Sequence, residues 1–99
     1  MNNVFELLEN IKIKPELYLG SKKLTYLYHF VNGYLFRSMD IGDEKSLKIK
    51  ELHFWLPSKT GVDIENWCEN LLVKSSNDEE KALDLFFQYL KIFKEEMKY

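Results

Sequence analysis

The stretch LKIKELHFWLPSKTG, Leu47–Gly61, decides whether this chain is all-α or mixed. Read in twos, Leu47/Ile49 and then Leu52, Phe54 and Leu56 alternate as in a strand. Read in threes and fours, Ile49, Leu52, Trp55 and Leu56 share one helical face, ended by Pro57 and Gly61. Composition favours the second reading. Four Gly and two Pro in 99 residues leave few turn signals, so the elements are expected to be long and the loops few, which suits helices better than a many-turned β-sandwich.

The flanking segments agree with a helical chain. Leu24, Leu27, Tyr28, Val31, Tyr34 and Leu35 recur at steps of three and four, predicting an amphipathic helix from Lys22 to about Met39. In residues 3–10, Val4, Leu7 and Leu8 share a face, and Asn2 or Asn3 stands where it can cap the amino end. IKIK, Ile11–Lys14, alternates apolar and basic residues, and Pro15 pushes Lys14 to extended geometry, so the first helix is expected to stop there. In the motif-like KPELYLGSKKL, Lys14–Leu24, Pro15 closes that strand-like run, Tyr18 and Leu19 dock on the core, Gly20 takes a positive φ, and Ser21 caps the next helix. The segment SMDIGDEKS, Ser38–Ser46, carries Gly42 and three acids and reads as a polar, mobile loop. Asp63 is the expected cap of IENWCENLLVK, where Ile64, Trp67, Cys68, Leu71 and Leu72 share a face and Glu65 and Glu69 lie one turn apart on the other. Ser76 and Glu79 have capping-box spacing, and the last helix is expected from about Asp78 to Met97 with Ala82, Leu83, Phe86, Phe87, Leu90 and Phe93 buried. The expected fold is one all-α domain over residues 1–99, a compact bundle of four to five antiparallel helices.

With 45% hydrophobic and 15% aromatic residues, the chain is rich enough in apolar surface to fold by itself. Net charge is −2 and no basic stripe occurs, so a nucleic-acid partner is not expected. No apolar run approaches the roughly 20 residues that span a bilayer, and MNNVFELLEN has no signal-peptide pattern, so no membrane partner is expected and a cytoplasmic location is. One cysteine cannot form an internal disulfide, and Cys68 with only two histidines cannot assemble a Cys/His cluster, so neither a metal nor another cofactor is expected.

Candidate chemistry is sparse. His29 and His53 are the candidates for acid/base work by residue type, yet each sits between apolar neighbours with no Ser or Cys nucleophile at motif spacing. Cys68, beside Trp67 on an apolar face, reads as a core thiol. KPELYLG is similar over seven residues to a segment of type II topoisomerase ATPase domains, but glycines 20, 33, 42 and 61 never form the Gly-x-Gly that lets amides approach a phosphate. Tyr26, His29, Phe30, Gly33 and Arg37 form a second face of the 22–39 helix, unused by the Leu24/Val31 stripe, and a face of that kind suits a partner.

Over most of its length the chain resembles a family of small bacterial immunity-type proteins encoded beside polymorphic or contact-dependent toxins. The likeness rests on IKIKPELYLG with Pro15, Tyr18, Gly20 and Ser21, on SKKLTYLYHFVNGY, on FWLPSKTG, on ENWCENLL with Trp67, and on DEEKALDLFFQYLKIF. Lys14 stands where the family pattern has Arg, and Asp40–Ser46 has no counterpart. The resemblance implies an inhibitor that neutralises a cognate protein toxin by direct stoichiometric binding and needs no catalytic residues. For a nuclease toxin, Asp40, Asp43, Glu44, Glu65 and Glu69 are the acids expected to meet its basic groove. The alternative is a non-catalytic helical interaction module that homodimerises, through the Tyr26 face, or serves a regulatory partner.

Overall fold

The computed structural model describes residues 3–99, and all the regular structure among them is helical. Helix α1 spans Val4–Ile13, α2 Pro15–Leu19, α3 Leu24–Ile41 and α4 Glu44–Leu47. A 3-10 turn over Lys48–Glu51 leads into α5, Leu52–Thr60, followed by α6, Trp67–Lys74, and α7, Glu79–Met97. The chain is therefore all-α, its longer helices joined by short helical turns and by non-helical connections at residues 20–23, 61–66 and 75–78.

Leu47–Gly61 is helical because burial follows the three-and-four spacing. Ile49, Leu52 and Leu56 are fully buried, whereas Phe54, which a strand would have turned inward with Leu52 and Leu56, is 77% exposed. Pro57 does not end α5 as the sequence suggested. Its fixed φ suits a helix, and the helix continues one turn because Thr60 is buried, its Oγ1 held by the Leu56 carbonyl at 3.2 Å. Gly61, in the left-handed region at φ 77°, is the actual terminator.

Other boundaries differ from the sequence reading for identifiable reasons. Ile11–Ile13 belong to α1 and not to a strand-like run, because Ile11 is buried in the core. Pro15, instead of closing that run, occupies the first position of α2, where its missing N–H costs nothing. Asn3 caps α1, its Oδ1 accepting from Phe5 N at 2.9 Å and Glu6 N at 3.2 Å, while the alternative cap Asn2 lies outside the described residues. Gly20 takes φ 80° as expected and ends α2. Ser21, however, is not a cap: α3 starts at Leu24, and its free Thr25 amide donates at 2.9 Å to the Glu79 carboxylate, which also accepts from Thr25 Oγ1. Tyr18 does not dock in the core either, being 38% exposed, although Leu19 packs against it.

The expected loop at 38–46 is instead two helix ends. Helix α3 runs to Ile41, Gly42 reverses the chain at φ 72°, and Asp43 opens α4. Buried serines are responsible. Ser46 Oγ accepts the Val4 amide at 2.8 Å and donates to Asp43 Oδ2 at 2.6 Å, tying this segment to the start of α1. Helix α6 starts three residues later than expected, since Asn66 and not Asp63 caps it, accepting from Glu69 N at 3.0 Å. At α7 the cap is Asp78, accepting from Lys81 N at 3.0 Å; Ser76 has φ 56° and sits in the reversal that closes α6.

Trp67 lies near the centre, 1% exposed, with the Tyr28 and Phe86 rings each 4.9 Å away. These contacts bring α3, α6 and α7 together, α5 pairs with α6, and α1 packs on α2, α3 and α4. The Cα radius of gyration is 12.8 Å, in line with about 13 Å for a compact 100-residue domain. Among the described residues no helix is long and apolar enough to cross a membrane.

Candidate binding surfaces

Helix α3 buries Leu24, Leu27, Val31, Leu35 and Ser38 and turns its opposite side to solvent. Tyr26, His29, Gly33 and Arg37 lie on that outer side and are exposed, while Phe30 is half-buried against the core. The sequence reading missed the most apolar part of this face. Phe36 is 74% exposed, Met39 and Ile41 are also exposed, and i, i+3 and i+4 spacing sets Phe36 beside Met39 and Asp40. The signal was present in the sequence, since none of the three falls on the 24/27/31/35 stripe.

Gly33 sits in the middle of this face without a structural reason. Its φ is not positive, and a Cβ built on it would meet nothing within 4 Å. A glycine inside a helix costs about 0.5–1 kcal/mol relative to alanine, and nothing in the fold offsets that cost. What the missing side chain provides is a flat spot between Tyr26, His29, Phe36 and Arg37, where another backbone can approach closely.

The five acids chosen from the sequence do not form one cluster. Asp40 and Glu44 are exposed near the α3–α4 junction. Asp43, between them, is engaged by Ser46 through both carboxylate oxygens, and that hydrogen bonding holds its carboxyl below the usual carboxylate range. Glu65 and Glu69 are both exposed but do not lie one turn apart in a helix, because Glu65 precedes α6 in a non-helical segment. His53 and Asn70 fix that segment. Asn70, fully buried, donates to the Val62 carbonyl at 3.0 Å and the Ile64 carbonyl at 2.9 Å and accepts from Thr60 Oγ1 at 2.8 Å. His53 Nδ1 lies 3.0 Å from the Glu65 carbonyl and 3.3 Å from Trp67 N, donating to the first or accepting from the second according to tautomer.

No reactive constellation is assembled from these groups. His29 is exposed on α3 with its ring beside Tyr28, and His53 serves the α5–α6 connection. The Cys68 thiol is pushed up to about 11 by burial, with Glu79 and Glu69 adding to the effect, so it stays protonated near neutrality. Among the described residues no three His, Cys, Asp or Glu side chains stand close enough to hold a metal ion. At the far end of the bundle, Glu96 accepts from Trp55 Nε1 at 3.2 Å and Lys59 Nζ at 2.9 Å, and Tyr99 Oη donates to Glu51 at 2.6 Å. These contacts pin the end of α7.

Compared with known proteins, the chain matches no family model, no curated protein and no solved structure.

Proposed function

We propose that this chain is an immunity-type protein that neutralises a cognate bacterial toxin in the cytosol by direct stoichiometric binding, with the outer face of α3 as its contact surface. The observation that carries the reading is the exposed stripe of Tyr26, His29, Gly33, Phe36 and Met39. Large exposed apolar side chains around a glycine that the fold does not require suit recognition, because aromatic anchors dominate interface energetics and a bare backbone admits close approach. Asp40 and Glu44 at one end of the stripe add negative charge, which suits a toxin with a basic substrate groove, such as a nuclease. The family likeness described above points the same way.

The test is co-expression with the product of the adjacent reading frame. Growth rescue with a one-to-one complex is expected, and Phe36→Glu is expected to abolish rescue while leaving the helical circular dichroism intact. A non-toxic neighbour that forms no complex would overturn the reading. The same face can alternatively serve a regulatory partner as a plain interaction module; binding without any toxicity of the partner distinguishes that case.

A further inference from the structure

A second surface, sharing no residue with the α3 face, has a charge pattern that selects its occupant. A groove of about 870 Å³ runs between the α1–α2 corner and α7. Its apolar lining includes Ile13 and Leu17, 75% and 73% exposed, and the half-buried Phe87. A smaller continuation passes Lys12, Phe87 and Lys91 toward the end of α7. Helix α2 buries none of its own residues, so this corner of the bundle is apolar and uncovered.

Along α7, the residues flanking this surface are arranged about Phe87. Asp84 and Glu80 precede it by three and seven positions, and Lys91 and Lys94 follow it by four and seven. These offsets keep all five on one side of the helix. On this side of α7 the acids therefore precede Phe87 and the lysines follow it, with Glu95 the one acid at the edge of the basic end. Glu80, Asp84 and Lys91 have no ion-pair partner within 4.0 Å among the described residues, and neither has Lys12, which stands across the groove beside Lys91. Lys94 pairs with Glu9 at 3.7 Å and lies over the Phe5 ring, and on the opposite wall Lys22 is taken by Glu16, while Lys14 at the rim has no ion-pair partner among the described residues.

We infer that this surface is a homodimer interface in which α7 packs antiparallel to α7 of a second copy, about a two-fold axis at Phe87. A two-fold contact must be self-complementary, and a stripe whose charge changes sign at its midpoint has that property only in the antiparallel arrangement. Asp84 then faces Lys91 of the second copy and Glu80 faces Lys94, twice over, with Lys12 joining the basic half. A parallel arrangement would set acid on acid. The two Phe87 rings meet on the axis, and Ile13 and Leu17 close over the joint. An unrelated partner has no need of this antisymmetry.

The test uses charge exchange in the full chain. Sedimentation equilibrium over a concentration series should show reversible dimerisation of the wild type, weakened by salt. Asp84→Lys and Lys91→Glu should each weaken it by about tenfold or more, since each variant sets like charges in contact at both copies of the pair. An equimolar mixture of the two variants should recover the wild-type affinity, because every contact again joins opposite charges. Both positions are exposed, and circular dichroism verifies that each variant is folded. A wild type that stays monomeric throughout the series, or a mixture that associates no better than either variant alone, would overturn the proposal. Toxin binding through α3 is read separately, since neither variant touches that helix.

Discussion

Replacing Gly33 by alanine should stabilise the protein. The position is helical, its φ is not positive, it is exposed, and the added methyl would have no heavy atom within 4 Å beyond its own helix and neighbours. The added methyl therefore meets no steric obstacle, and the helix-propensity difference, about 0.8–1.0 kcal/mol in the upper part of the general range for a helical glycine, should appear as stability. For a domain near 100 residues, 1 kcal/mol corresponds to about 4–8 °C in Tm, so the melting temperature should rise by roughly 3–8 °C. Thermal melts followed by far-ultraviolet circular dichroism measure this, and urea unfolding should show a higher midpoint at unchanged slope. The same substitution should weaken partner binding, because the methyl fills the flat spot of the α3 face. A Tm that stays put or falls would mean that the glycine serves the fold and not a partner.

Asn70→Ala should destabilise by about 1–3 kcal/mol, because the part-buried carbonyls of Val62 and Ile64 lose their donors; hydrogen exchange around residues 61–66 should accelerate. Asp43 has its folded-state pKa depressed, so its contribution is present at neutral pH and is lost as pH falls through and below the usual carboxylate range; Ser46→Ala should flatten the acid limb of the stability profile. Tyr99 is the opposite case. Its phenol is pushed up to about 12, chiefly by the hydrogen bond to Glu51, so its contribution is complete below the ordinary value of about 10 and disappears as pH rises toward 12; Tyr99→Phe should remove that alkaline step. Cys68 should resist alkylation at neutral pH until the protein unfolds, whereas rapid labelling of the native chain would contradict both its burial and its raised pKa.

The fold was legible wherever burial follows a local period. Leu24, Leu27, Val31 and Leu35 mark α3 unambiguously, and in Leu47–Gly61 the helical spacing of Ile49, Leu52 and Leu56 prevailed over the alternating pattern. What was not legible depends on distant residues. Glu79 supplies the acceptor that Ser21 was expected to supply, from 54 positions beyond Thr25, and Ser46 meets Val4 from 42 positions away. Asp63 and Asn66 are equally good caps by local rules; the choice is made by Asn70 and His53, which hold the intervening backbone out of the helix. The acids of the surface were readable as exposed, but their grouping was not, because Asp43 belongs to a buried serine network and Glu65 stands outside the helix that carries Glu69. The apolar end of the α3 face, Phe36, Met39 and Ile41, was readable by subtraction from the core stripe.

Oxidative footprinting of the chain, free and bound to its proposed partner, the product of the adjacent reading frame, probes α3 as the recognition surface. Phe36, Met39 and Tyr26 are exposed in the free protein and should become strongly protected in the complex, while Phe54, equally open to solvent on α5, should label as before. A complex in which Phe36 and Met39 label at their free rates, with protection confined to other helices, would contradict the assignment of α3 as the recognition surface.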